Sequence, residues 1–140
     1  MTVLVSGAAA TWAMVGLIWL VQLVHYPMLV GWSTADPVRA AAFHQRRISF
    51  VVGPLMAVEG VTALLLLVDR PDTMGAAAAW VAAALLGVAL ASTVLVQVPL
   101  HSRLAAGPDP EAADRLCSTN WIRTAAWTLR GFLLAAVLIT

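Results

Sequence analysis

The stretch Ile48–Val68, ISFVVGPLMAVEGVTALLLLV, decides the fold. Its 21 residues contain a single charged side chain, Glu59, and about 20 helical residues are enough to cross the hydrocarbon core of a bilayer. Three further apolar runs, at 3–30, 76–100 and 121–139, are long enough to do the same. The sequence therefore predicts an all-α integral membrane protein built as a four-helix bundle.

The composition agrees with this fold class and leaves no room for a soluble domain. Hydrophobic residues make up 61% of the 140 positions and charged residues 11%, whereas a soluble domain is about half apolar and a quarter charged. We expect one transmembrane domain over 1–140, with a retained first helix, because the first apolar run is too long for a signal peptide. The predicted helices cover about 3–30, 38–68, 75–104 and 110–139.

The charged residues predict an orientation in the cell membrane. All eight basic residues are Arg, and no basic tract is present, which argues against a nucleic-acid partner. The segments around the 31–37 and 105–110 loops are richer in Arg than the 69–75 turn, and neither terminus carries any. The positive-inside rule therefore places these two loops in the cytoplasm and both termini outside it.

The two halves of the chain resemble each other weakly, which predicts that the four-helix bundle is built from two tandem helix-pair repeats. The two Asp-Pro pairs, at 36–37 and 109–110, are N-caps followed by a first-turn proline, and they match at an offset of 73 residues. At an offset of 76, three polar pairs coincide, namely His25 with His101, His44 with Asn120, and Arg47 with Arg123.

The three histidines, His25, His44 and His101, all fall near helix ends that the predicted topology places on the cytoplasmic side. Other polar residues follow them at spacings of three or four, and so share their helical faces. One polar pocket at the cytoplasmic end of the bundle explains this pattern, with the histidines as proton-transferring catalytic residues. The residues predicted to bind the substrate are Gln22, Tyr26, Arg47, Gln97, Asn120, Arg123 and Trp127.

A second interpretation of the same residues stays open. Arg47 and Arg123 can extend to the membrane interface, as long cationic side chains do, and Tyr26 can belong to an aromatic belt. The histidines would then be polar helix ends. We favour the pocket, because all three histidines fall on one side of the membrane.

The histidines also raise the question of a metal. Neutral imidazoles bind Zn, Fe or Cu, and two histidines on different helices can be axial haem ligands. No His-x-x-x-His pair supports such a site, however, and neighbouring arginines repel a cation and favour an anionic or carbonyl-bearing ligand. No cofactor is firmly implied, and haem or a His-ligated metal stays an alternative.

Two charges lie deep inside the apolar runs. Glu59 and Arg130 fall at similar depth in the second and fourth helices, which both run outward in the predicted topology. Pairing is the least costly arrangement for two charges in a lipid interior, so the sequence predicts a buried ion pair. A proton-relay role is the alternative.

The segment Val98-Pro99-Leu100-His101-Ser102-Arg103-Leu104, followed by Asn120-Trp121-Ile122-Arg123-Thr124, resembles the second half of the anthrone-oxygenase-like family of four-helix membrane proteins. Much of that family is of unknown function. His101 stands where the family typically has Asn. The resemblance implies oxidation of a polycyclic phenolic by oxygen, in or beside the membrane.

These observations give one leading hypothesis and two rivals. The leading hypothesis is a membrane protein whose pocket binds, and as an oxidoreductase oxidises, a small apolar molecule bearing a phenolic or quinone-like oxygen. One rival is a non-catalytic accessory subunit of a homo-oligomer or larger membrane complex, packed through the small residues of the third helix. The other is a small proton or ion carrier that uses Glu59 and Arg130.

Overall fold

The computed structural model of the chain describes residues 1–31 and 36–139, and four long helices account for most of them. All four are long and apolar enough to cross a membrane, so the chain is a multi-pass membrane protein, and the predicted all-α four-helix bundle is confirmed. Residues 32–35 of the predicted 31–37 loop lie outside the described residues. The helices are α1 (Thr2–Leu20, Val21–His25 and Tyr26–Gly31), α2 (Pro37–Val68), α3 (Ala76–Ser92, Thr93–Gln97 and Val98–Ala106) and α4 (Pro110–Ile139).

The helices form a closed ring in the order in which they occur in the chain. Helix α1 packs against α2 and α4, and α3 packs against the same two helices. Helices α2 and α4 therefore stand on opposite corners, as do α1 and α3. Side chains that point inward from all four helices meet at the centre of this ring.

The two Asp-Pro pairs begin α2 and α4. The Asp36 carboxylate accepts from the amide of Arg39 at 2.9 Å, and Asp109 accepts from the amide of Ala112 at the same distance. Both bonds satisfy amide groups that the first helical turn leaves free. The N–H of Ala112, together with the salt bridge from Arg103, lowers the pKa of the Asp109 carboxyl below its ordinary value.

Helices α1 and α3 each contain a π-helical turn that ends two residues before a proline. The amide of Tyr26, which precedes Pro27, donates to the carbonyl of Val21, five residues back. Thr93–Gln97 forms the same kind of turn before Pro99. A proline lacks an N–H and crowds the carbonyl four residues before it, and a wider turn relieves that contact.

The two turns offer a second alignment of the two halves. They lie 72 residues apart, one helical turn less than the offset of 76 that pairs His25 with His101, and this spacing pairs His25 with Gln97. Residues four apart share a helical face, so polar residues alone do not distinguish the two registers. The repeat itself stays a prediction from the sequence.

The two ends of the bundle differ in polarity. Around the α2–α3 turn the core is entirely apolar, and the ring is filled there by Leu4, Ala8, Leu66, Met74, Ala79, Ala82, Leu134 and Val137. The opposite end, where the chain passes from α1 to α2 and from α3 to α4, contains all three histidines and is called the histidine end below. The bundle is therefore sealed by apolar packing at one end and carries its polar chemistry at the other.

Helices α1 and α2 are in close contact at Gly7. A Cβ atom added there would lie 2.9 Å from the Thr62 hydroxyl oxygen and 3.2 Å from the Thr62 Cβ. Thr62 cannot turn away without cost, because its hydroxyl donates to the carbonyl of Val58. A Cβ added at Gly16, on the same helix, would meet nothing within 4 Å.

The substitution Gly7→Ala is therefore expected to destabilise the bundle, because the methyl group overpacks the contact with Thr62, at a cost of about 1–3 kcal/mol. The matched substitution Gly16→Ala should be neutral or stabilising by up to about 1 kcal/mol, since alanine favours a helix. Thermal unfolding of both variants in detergent measures the difference. Equal stability of the two variants would contradict the close approach.

Candidate functional site

The buried polar side chains form two layers. One layer lies near the middle of the bundle around Glu59, and the other lies closer to the histidine end around Tyr26. The buried polar and charged residues are Thr11, Gln22, Glu59, Thr62, Ser92, Gln97, His101, Asn120, Arg123, Thr124 and Arg130.

The inner layer is an ion pair that all four helices support. Arg130 Nε lies 3.5 Å from Glu59 Oε1, and the two side chains are 1% and 0% exposed. Glu59 also accepts from the Thr11 hydroxyl at 2.6 Å and from Trp127 Nε1 at 2.9 Å. Arg130 donates to the Thr11 oxygen and to the carbonyl of Ala82. The sequence-predicted pair is therefore present, and it joins α2 to α4 across the diagonal of the ring.

The outer layer is centred on the hydroxyl of Tyr26, whose side chain is buried. Three partners from two other helices reach this oxygen. His101 Nε2 lies at 3.0 Å, Gln97 Oε1 at 3.4 Å and Arg123 Nη2 at 3.5 Å. Tyr26 follows directly on the π-helical turn of α1, and Gln97 ends that of α3. The two wide turns therefore flank the same hydrogen-bond cluster.

Arg123 is held in place by neutral groups. Its Nε and Nη2 donate to the Asn120 side-chain oxygen at 2.9 and 2.6 Å, and its Nη1 donates to Thr93 at 3.2 Å. The Asn120 amide donates in turn to Gln22 at 2.7 Å. The guanidinium is thus oriented by a chain of amide and hydroxyl groups.

The three histidines meet at one end of the bundle. The rings of His25 and His44 are stacked, with centroids 4.1 Å apart and planes tilted by 31°. The centroids of His44 and His101 lie 5.3 Å apart. Within residues 1–31 and 36–139, His25 Nε2 and His101 Nδ1 are buried and have no hydrogen-bond partner.

A cavity of about 280 Å³ lies between the two polar layers and the histidines. Six of the sequence-predicted site residues line it, and apolar side chains from α1 and α2 make up much of the remaining wall. The predicted residues are Tyr26, His44, Gln97, His101, Arg123 and Trp127, and the apolar wall includes Met14, Leu17, Ile18, Val21, Ile48, Val52 and Met56.

The other predicted site residues lie outside this lining. His25 stacks behind His44, and Gln22 and Asn120 position Arg123 from behind. Arg47 is not brought to the cavity, because it is exposed and its guanidinium stacks on the ring of Phe43 at 5.2 Å. The reason is the position of Arg47 around the axis of α2. The residues of α2 that line the cavity include 44, 45, 48, 49 and 52, and position 47 lies on the other face of the helix.

Trp127 connects the two layers. Its ring lies 5.8 Å from the Arg123 guanidinium carbon, and its Nε1 donates to Glu59. The sequence placed Trp127 in the pocket but did not predict this link. It also missed Thr11, which bridges Glu59 and Arg130, since a lone threonine in an apolar run has no distinguishing pattern.

No metal cluster forms in the part of the chain that the structure describes. No three His, Cys, Asp or Glu side chains there are grouped so that one ion could bind them. The stacked arrangement of His25 and His44 places their ring faces against each other. A haem or metal stays a prediction from the sequence alone.

Substitutions of Glu59 and Arg130 test whether the two residues act as a pair or as two independent sites. Glu59→Gln or Arg130→Met alone should cost about 3–5 kcal/mol, because each leaves the other charge buried and uncompensated. The double variant should lose less than the sum of the two single losses, as measured by unfolding in detergent.

The control for this cycle is the exposed pair Glu111 and Arg115, whose charged atoms lie 3.8 Å apart. Glu111→Gln and Arg115→Met should each change stability by at most about 1 kcal/mol, since water screens exposed pairs. Additive losses at Glu59 and Arg130 would show that these two residues are not partners.

Comparisons with known proteins do not identify a function for this chain. No family model, no curated protein and no solved structure matches the chain. The resemblance of 98–104 and 120–124 to the anthrone-oxygenase-like family stays a prediction from those residues.

Proposed function

We propose that the protein binds, within the membrane, a small and largely apolar molecule that carries an anionic or strongly hydrogen-bonding oxygen. One observation carries this proposal. Arg123 is 8% exposed, lines the cavity, and has no carboxylate partner among residues 1–31 and 36–139. A buried cation in a membrane interior is costly unless a negative charge offsets it.

Arg130 is also buried, but its partners differ from those of Arg123. Arg130 is more deeply buried than Arg123, but Glu59 neutralises it, and that carboxylate also accepts from Thr11 and Trp127. Arg123 is surrounded by Asn120 and other neutral groups instead. Among the described residues, Arg123 is therefore a buried cation without an anionic partner, and a ligand oxyanion beside it would supply one.

The cavity wall supports an apolar body for this ligand. Methionine, isoleucine and valine side chains such as Met14, Ile18 and Val52 form part of it, and the charged group in the lining is Arg123. A few polar groups on an otherwise apolar wall are typical of small-molecule sites. The shape and chemistry favour a phenolate, an enolate or a quinone oxygen on one or two rings.

Oxidation of such a molecule extends the same proposal. The resemblance at 98–104 and 120–124 implies it, and the imidazoles of His44 and His101 line the cavity, where either can take a phenolic proton. The residues themselves supply the proton acceptor and the positive charge, and the oxidant would be oxygen.

The carrier hypothesis has less support. Glu59 is fully occupied by Arg130, Thr11 and Trp127, and an apolar core fills the bundle between this pair and the α2–α3 turn. This arrangement favours a site reached from one end over a path through the bundle.

The binding proposal predicts a specific loss in Arg123→Gln. The purified protein should bind 4-nitro-1-naphthol more tightly than 1-nitronaphthalene, which has the same rings but no hydroxyl. In Arg123→Gln this preference should fall roughly 10- to 100-fold, the effect of losing a hydrogen bond to a charged group. Quenching of tryptophan fluorescence, with Trp127 in the cavity wall, measures both affinities.

Arg47→Gln is the matched control, because Arg47 lies near the same end but is exposed and turned away from the cavity. It should leave both affinities unchanged. Thermal unfolding establishes that Arg123→Gln is folded. If wild type bound the two compounds equally, or if folded Arg123→Gln kept the preference, the proposal would be wrong.

The proposed orientation places the histidine end on the cytoplasmic side. Single cysteines are introduced at Thr73, in the α2–α3 turn, and at Ala106, at the end of α3, in a Cys117→Ser background. A membrane-impermeant maleimide should label position 73 in intact cells and position 106 only after permeabilisation, because the Arg-rich loops stay inside. The reverse pattern would place the site at the outer face.

A further inference from the structure

The hydrogen bonds around Tyr26 determine which ring nitrogen of His101 carries a proton. The Thr119 hydroxyl donates to the carbonyl of Arg115, so its oxygen accepts from Gln97 Nε2 at 2.9 Å. This orients the Gln97 amide with its oxygen toward Tyr26 at 3.4 Å. An amide oxygen only accepts, so the Tyr26 hydroxyl is the donor in this contact. Donation from Tyr26 to His101 instead would place the imidazole proton on Nδ1, where a buried N–H would have no acceptor among the described residues.

The tautomer of His101 follows from this assignment. With the Tyr26 proton on the bond to Gln97, the contact of 3.0 Å between Tyr26 and His101 Nε2 requires that Nε2 donate. A neutral imidazole that donates from Nε2 holds a free lone pair on Nδ1. That Nδ1 atom is buried and has no partner within the described ranges, and the His101 side chain lines the cavity.

We infer that the site takes up its ligand as a neutral weak acid, moves the acidic proton to His101 Nδ1, and holds the ligand as an oxyanion beside Arg123. This inference rests on the proposed binding function and narrows the ligand to phenols and enols with an ionisable hydroxyl. In the transfer the O–H bond of the ligand breaks and an N–H bond forms on Nδ1. No electrons change hands, and the proton stays in the site.

The charges around His101 make this transfer depend on the ligand. The titratable or charged groups that face it are Tyr26 from α1, His44 from α2 and Arg123 from α4, with His25 stacked behind His44. None of them is an anion. A proton on His101 therefore adds to the positive charge of Arg123, and the imidazole accepts it only while the ligand oxyanion lies close to both cations.

The apolar wall gives the reason for uptake in the neutral form. An ionised phenol partitions poorly into hydrocarbon, whereas the neutral acid dissolves in the bilayer that surrounds the bundle. Ionisation after entry lets Arg123 and His101 recognise the oxygen without requiring an anion to cross an apolar layer. A permanently charged anion has no neutral form in which it could cross the apolar layer, so it would not reach the site by this route.

The test uses 4-nitro-1-naphthol, because its phenolate absorbs visible light and its phenol does not. The protein is studied at a pH at which the free dye is mostly protonated. Dye bound to wild type should show the phenolate band. His101→Gln, which keeps a donor for Tyr26 but has no basic nitrogen, should still bind the dye but lose that band, and Arg47→Gln should match wild type.

The outcomes separate this inference from the proposed function. Wild type that does not bind the dye would overturn the proposed function and the inference with it. Wild type that binds the dye as the neutral phenol would overturn the inference alone. A band that is lost in His44→Gln but kept in His101→Gln would overturn the assignment to His101.

A second measurement on wild type keeps the test decisive if His101→Gln fails to fold. The binding heat of the dye is measured by titration calorimetry in two buffers that differ in ionisation enthalpy. A proton kept on His101 predicts the same heat in both buffers. A buffer dependence equal to one proton released per bound dye, together with the phenolate band, would overturn the inference.

Discussion

The ion pair between Glu59 and Arg130 is the constraint on which the rest of the structure depends. It joins α2 and α4, whose backbones stand on opposite corners of the ring. Its partners Thr11 and the carbonyl of Ala82 bring in α1 and α3. Neither charge can rotate toward lipid without a large loss of free energy, so the pair sets the rotation of both helices about their axes.

The position of the ligand cavity follows from that pair through Trp127. The indole N–H donates to Glu59, and the Arg123 guanidinium lies over the indole ring. Trp127 therefore lines the cavity and also contacts the ion-pair layer, so it lies between the two. Beyond that layer the core around Leu4 and Leu134 is apolar, so polar chemistry is confined to one half of the bundle.

The half of the bundle that contains the cavity has, among its described residues, a buried cation without an anion, and this imbalance indicates a ligand. Arg123, Tyr26 and His101 bring donors and a free imidazole nitrogen to one place, and the described residues around them contain no anion to balance the cation. A soluble protein could leave such a charge to water. In a bundle surrounded by lipid, a ligand with an acidic hydroxyl can give its proton to the His101 lone pair and leave an oxyanion as the partner of Arg123.

The sequence by itself determined the four spanning helices, their Asp-Pro starts, and the pairing of Glu59 with Arg130, because apolar length, local capping and charge burial are properties of short segments. Only the tertiary structure decided between Arg47 and Arg123. Each follows a polar residue by three positions, yet Arg123 faces the cavity and Arg47 faces away from it. Helical spacing groups residues on a face, but the packing of all four helices decides which face turns inward.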